Sequence, residues 1–275
     1  MCYIIPMNQS DQYVPVGRVR LGMVLQRAGE LISVGDVSAV LQMERPAAAR
    51  LLARWNRQGW VRRVRRGTYA AVPLTALGQE QVLEDPWMLV PELFAPGYIG
   101  GWSAAEHWGL TEQIFRDLCV CTTRRITKTR ERLQGVPFVL RHIGAPAMFG
   151  TQSVWRGSTR VQISSPAKTL VDMLDDPAMG GGIRHVAACL AAYLERDAEA
   201  ENALMATARQ LGNGAVFKRL GFLAERLGGH STLVAGCAAH LTTGNARLDP
   251  ALPAERLTTR WRLWHPAAWA FGKAE

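Results

Sequence analysis

No apolar run in this sequence approaches the roughly eighteen residues that a membrane-crossing helix needs. The opening residues, Met1 to Pro6, lack the basic start and long apolar core of a secretory signal. Both absences predict a soluble, cytoplasmic protein with no membrane partner. Cysteine is scarce: Cys2, Cys189 and Cys237 stand alone, and only Cys119 and Cys121 lie two apart. That spacing suits one face of a packed strand, whereas zinc sites use paired knuckles. Neither a disulfide framework nor a metal site is expected, and the thiols suit a reducing compartment.

Signatures of catalysis are missing too. Gly180-Gly181-Gly182 lacks the Lys and Ser/Thr of a phosphate-binding loop, and neither a Gly-x-Ser-x-Gly elbow nor a His-Glu-x-x-His pair occurs. Glu106 and His107 read as packing or capping groups beside Trp102 and Trp108, with Asp117 and His142 elsewhere. Asp172, Asp175 and Asp176 crowd a helix end before Pro177 and read as a solvated acidic turn. No catalytic residue, cofactor or enzymatic activity is expected.

What is present is a sharply uneven charge. Hydrophobic residues make up 48% of the chain, enough for a packed core, and 275 residues suggest two domains. Residues 1–66 hold 11 basic and 4 acidic residues, most of the net +9, while the remainder is nearly balanced. A small basic module joined to a neutral domain is the electrostatic footprint of nucleic-acid binding.

Within that module, residues 1–17 show no periodicity and read as an arm. From Arg18 a helix is predicted, with Val19, Met23, Leu25 and Ala28 on its apolar face and Gly29 at its end. Ser33 and Asp36 resemble a capping arrangement before a second helix over 36–42 that buries Val37, Val40 and Leu41. A third helix opens near Pro46, with Ala48, Leu51, Leu52 and Trp55 inward. Arg50, Arg54 and Arg57 then form one outward stripe. Two β-prone segments, 60–64 and 68–72, flank Arg65-Arg66-Gly67 and form a hairpin. Three helices and a basic hairpin make a winged helix-turn-helix over 18–74. Its third helix would enter the major groove of duplex DNA with Arg45, Arg50 and Arg54. Arg57 extends that stripe, and the wing residues Arg62, Arg63, Arg65 and Arg66 would meet phosphates or the minor groove. Eight arginines and no lysine lie between 45 and 66, which favours planar, bidentate contacts.

A linker is expected over 75–91, then a second domain over 92–275 of α+β class: a mixed α/β C-terminal domain with a helical back half. Short strands are predicted over 118–122 and 137–143, a hairpin around Gly157 and Ser158, and a last strand over 260–264. Helices are predicted over 103–108, 166–175, 183–196, 198–211 and 215–227, with another from Thr232. Arg124, Arg125, Lys128, Arg130 and Arg132 form a possible second basic surface on an exposed loop.

The order of these features resembles the AbiEi family of antitoxins. The carrying segments include Tyr98 to Gln113 (Tyr-Ile-Gly-Gly-Trp-Ser-Ala-Ala-Glu-His-Trp-Gly-Leu-Thr-Glu-Gln), Val120 to Arg125, Phe149-Gly150 and Val154-Trp155. Ser165-Pro-Ala-Lys-Thr-Leu-Val-Asp172, Val216 to Leu223, Leu248-Asp249-Pro250 and the wing Arg63 to Tyr69 complete the set, which spans nearly everything after residue 17. The resemblance implies an antitoxin of a type IV toxin–antitoxin system that represses its own promoter through inverted repeats. It also implies a cognate nucleotidyltransferase-like toxin, antagonised functionally or by direct association through the C-terminal domain. Two other classes stay open: a stand-alone transcriptional regulator whose C-terminal domain senses a ligand or partner, and a DNA-targeted nuclease.

Overall fold

A computed structural model describes residues 16–270 apart from 30, 66, 73–84, 134 and 158, and of Arg65 only the backbone. The chain divides between residues 81 and 82 into two units. The expected arm therefore lies outside the described residues up to position 15. Its predicted boundary moves, because the first helix, α1, already starts at Val16 and runs Val16–Ala28.

The first unit continues with β1 (Leu31–Ser33), α2 (Val34–Val40), α3 (Arg45–Arg57), β2 (Val61–Arg65) and β3 (Thr68–Ala71). The strands form an antiparallel sheet in the order β1-β3-β2. Helix α1 buries Leu21 and Val24, while Val19 and Met23 are about half exposed. Leu25 and Ala28 of the predicted face do pack against the core beside Leu21 and Val24, whereas Val19 and Met23 fall on the other side of the helix. Ser33 and Asp36 do close a capping box. The Asp36 N–H donates to Ser33 Oγ at 3.1 Å, and the Ser33 N–H donates to Asp36 Oδ2 at 2.8 Å. The shorter aspartate arm suffices where glutamate is usual. Gly59 and Gly67 take φ of +71° and +83°, which non-glycine residues rarely adopt, at the end of α3 and in the β2–β3 turn.

In the second unit a 3₁₀ turn (Pro86–Met88) leads into α4 (Leu89–Phe94), whose Leu89, Val90, Leu93 and Phe94 are buried. The expected linker over 75–91 is corrected at its end: residues 86–91 belong to this unit, with Leu89 and Val90 buried in its core. The part of that linker from 75 to 84 lies outside the described residues. Next come β4 (Gly97–Ile99), α5 (Gly101–His107), β5 (Leu118–Thr122), β6 (Arg130–Leu133), β7 (Val136–His142), β8 (Thr151–Arg156) and β9 (Thr159–Ser164). These strands make one sheet in the order β6-β7-β5-β4-β9-β8, with β5–β7 and β4–β9 parallel.

Five helices follow: α6 (Pro166–Asp175), α7 (Ile183–Arg196), α8 (Ala200–Leu211), α9 (Gly214–Leu227) and α10 (Ser231–Ala239). They share an apolar cluster that includes Leu170, Leu174, Val186, Leu190, Leu204 and Leu223. A small sheet follows, β10 (Ala246–Arg247), β12 (Leu263–His265) and β11 (Arg256–Thr258) in that order, and then a 3₁₀ turn (Ala267–Trp269). The last strand starts at Leu263, later than predicted, because Trp261 turns inward and is wholly buried against α9. The chain is mixed helix and sheet, of the α+β class. Among the described residues, no helix is long and apolar enough to cross a membrane.

Candidate nucleic-acid interface

Helix α3 is amphipathic. Ala48, Leu52 and Trp55 are buried against the first unit's core, and Arg50, Arg54 and Arg57 are exposed. At about 100° per residue, those three arginines fall within roughly 60° of one another, opposite the buried face. Arg45 is exposed as well. Five residues before Arg50, it stands about 140° round the helix from that residue, so it flanks the stripe from the N-terminal end rather than extending it.

Strand β2 follows closely on α3. The Arg63 N–H donates to Asn56 Oδ1 at 3.0 Å, which ties the strand to the last turn of the helix. Arg63 is exposed, and Arg62, on the opposite face of the strand, is half-buried and paired across the ladder with Ala70. A bulge between Arg63 and Arg65 lets Val64 join the buried side while Arg65 sits opposite Thr68. The direction of the Arg65 side chain, and Arg66 altogether, lie outside the described residues. Six predicted arginines, Arg45, Arg50, Arg54, Arg57, Arg62 and Arg63, thus lie on two adjoining elements.

The second basic group does not behave as one exposed loop. Arg124 donates from Nη1 to the Leu93 carbonyl at 2.8 Å, satisfying the C-terminal end of α4. Arg125 and Lys128 are exposed between β5 and β6. Arg130 and Arg132 lie on β6 itself, on one face, with Glu131 on the other. Arg132 also donates to the Gly135 carbonyl at 3.2 Å. The prediction of a loop is therefore corrected for Arg130 and Arg132: β6 pairs with β7, and that long-range pairing makes a strand of a polar segment.

The predicted solvated acidic turn is also corrected. Asp172 is buried and ion-paired with the fully buried Lys168, and Tyr98 Oη donates to Asp172 Oδ2 at 2.8 Å. Burial raises the Asp172 carboxyl above its ordinary value, although the Lys168 ammonium opposes the rise. Asp175 and Asp176 both hold Arg141, the former at 2.6 Å. No sequence pattern marks Arg141, since its partners lie more than thirty residues away on another element.

The remaining polar candidates have structural surroundings. His107 lies between the Trp87 and Trp108 rings and accepts from Arg156 at Nδ1, 3.2 Å away; burial and the Arg156 charge lower its pKa. Glu106 and His142 are exposed, and the Asp117 carbonyl accepts from Trp102 Nε1 at 2.6 Å. Cys119 and Cys121 are wholly buried on one face of β5, and burial pushes the Cys121 thiol up to about 12. Among the described residues, no cluster of His, Cys, Asp and Glu could hold a metal ion.

No family model and no curated protein matches the chain. Among solved structures it is similar to a protein of the same overall course. That structure is the crystal structure of RV2827C protein from Mycobacterium tuberculosis, 18% identical, covering 93% of each chain with a TM-score of 0.59. At that identity the likeness concerns the fold alone.

Proposed function

We propose that the first unit is a winged helix-turn-helix that binds duplex DNA, and that the protein is an AbiEi-like antitoxin and autorepressor of the cytoplasm. The observation that carries the DNA reading is the exposed stripe Arg50, Arg54 and Arg57, opposite the buried Ala48, Leu52 and Trp55, with Arg63 tied alongside through Asn56. In this reading α3 enters the major groove, where an arginine can pair bidentately with guanine. The β2–β3 hairpin is the wing, and its arginines meet phosphates or the minor groove. The antitoxin reading rests on the ordered segments that resemble those of the AbiEi family. The second unit would then antagonise a nucleotidyltransferase-like toxin encoded beside this gene.

Two experiments test the two halves. Gel-shift titration on the protein's own promoter should show specific binding to inverted repeats. Arg50→Ala and Arg54→Ala should each weaken it by roughly 1–3 kcal/mol if each residue makes a base contact. Unchanged affinity in both variants would place the interface elsewhere. Co-expression with the neighbouring toxin gene should restore growth, and continued arrest at full antitoxin expression would refute the antitoxin reading.

A further inference from the structure

One face of the six-stranded sheet carries Cys119 and Cys121 on β5 and Val139 and Arg141 on β7, paired side by side. Over it lies a cleft of about 600 Å³. That volume falls in the range of small-ligand sites, roughly 300–1,000 Å³. Its apolar lining includes Trp102, Phe115, Val139 and Met179. The Trp102 and Phe115 rings are stacked, 5.4 Å apart and 21° from parallel. The hydrogen bond from Trp102 to the Asp117 carbonyl fixes the indole. Phe115, half-buried and backed by the buried Trp102, therefore offers a held aromatic surface to the cleft.

The charges at this cleft favour an anion. Arg116 and Arg130 both line it and are exposed. The position of Arg130 follows from the ladder: it pairs directly with Val139, so the two side chains share the cleft face. Arg141 is committed to Asp175 and Asp176, which removes Asp176 as a free negative charge. Asp117 is then the one other lining carboxylate, against the guanidiniums of Arg116 and Arg130. Neither arginine belongs to the proposed DNA interface of the first unit.

We infer that this cleft binds a small planar aromatic anion, its ring against Phe115, which Trp102 backs, and its negative group met by Arg116 and Arg130. An arginine pair suits a carboxylate or phosphate group because each guanidinium offers a planar fork of donors. A neutral ring would leave that charge unanswered, and a non-aromatic anion would leave the apolar wall uncovered.

Isothermal titration of the full-length protein with naphthoate tests the inference without DNA. Saturable binding at one site per chain is expected. Neutral naphthalenemethanol and acetate should each bind at least about tenfold more weakly, a difference of roughly 1.4 kcal/mol. Arg116→Ala combined with Arg130→Ala should weaken naphthoate by a similar factor. Arg160→Ala, an exposed arginine on β9 outside the cleft lining, should leave it unchanged. Both cleft arginines are exposed, so the double variant should keep the native circular dichroism and melting transition. Three results would each overturn the inference: no saturable naphthoate binding up to about 1 mM, affinity unaffected by the double substitution, or equal binding of either comparison compound. None of these bears on DNA affinity, so the promoter experiment stands or fails separately.

Discussion

Replacing Lys168 with Met would strip the ammonium from a side chain that is wholly buried, while the unbranched Met keeps most of the apolar stem. In the native protein Lys168 Nζ pairs with Asp172, donates to Tyr98 Oη at 3.1 Å and lies 4.7 Å from the centre of the Phe149 ring. Without it the Asp172 carboxylate keeps Tyr98 as a donor and loses its counter-charge. Removing one partner of a buried ion pair costs about 3–5 kcal/mol. Tyr98 and proton uptake by Asp172 offset part of this, so about 3 kcal/mol is expected near neutral pH.

The sign of the pH dependence follows from the carboxyl. Burial already raises Asp172 above its ordinary value, and loss of the opposing Lys168 raises it further. Between the unfolded and folded values the folded state then holds the extra proton. Stability therefore falls as pH rises through that window, by at most about 1.4 kcal/mol per pH unit. Urea denaturation of Lys168→Met should show a smaller deficit near pH 5 than near pH 8, relative to the native protein at the same pH. Adding Asp172→Asn should recover at least about half of the loss at the higher pH, since no buried charge is then left unpaired. A deficit below about 1 kcal/mol at neutral pH, or one that does not change with pH, would refute this account of the pair.

Gly221→Ala in α9 should destabilise the protein by about 1–3 kcal/mol in the same assay. Its Cβ would overlap the ring of Trp261, which is buried and anchored by its Nε1–H to Glu225; helix propensity alone predicts a gain of up to about 1 kcal/mol. Ser33→Ala should cost about 0.5–2 kcal/mol by opening the capping box at α2, and a neutral result would show that the box contributes nothing. Arg65→Ala with Arg66→Ala should chiefly flatten the salt dependence of promoter binding, by up to about 0.9 in slope for each phosphate no longer neutralised. An unchanged slope would remove these two residues from the wing's share of the interface. Cys121 should resist alkylation near neutral pH until the second unit unfolds, as peptide mapping by mass spectrometry would show.

Much of the local architecture was legible in the chain. Strand 118–122 and helices 166–175 and 183–196 match β5, α6 and α7 residue for residue, because apolar periodicity, Pro166 and the flanking turns act over a few neighbours. The stripe on α3 was equally readable, since helical geometry alone brings Arg50, Arg54 and Arg57 together once the helix forms. Strand β1 was not. Three residues carry too little pattern, and Leu31–Ser33 becomes a strand by pairing with Thr68–Ala70, more than thirty residues on. The outward turn of Val19 and Met23 escaped for a related reason, as which side of α1 is covered depends on where α2 and α3 sit.

By itself the sequence determined where the positive charge lies and which arginines share a helix face, because both follow from composition and short-range geometry. Tertiary structure alone decided that Asp172 is buried against Lys168, that Arg124 serves the end of α4, and that Arg141 is held by Asp175 and Asp176. It also brought Arg116 and Arg130 to the lining of one cleft. Lys168 and Asp172 are four residues apart on α6, but their burial, like the other contacts, depends on segments far apart in the chain. Burial and charge pairing are properties of the surroundings, and no local pattern encodes which surroundings a side chain will find.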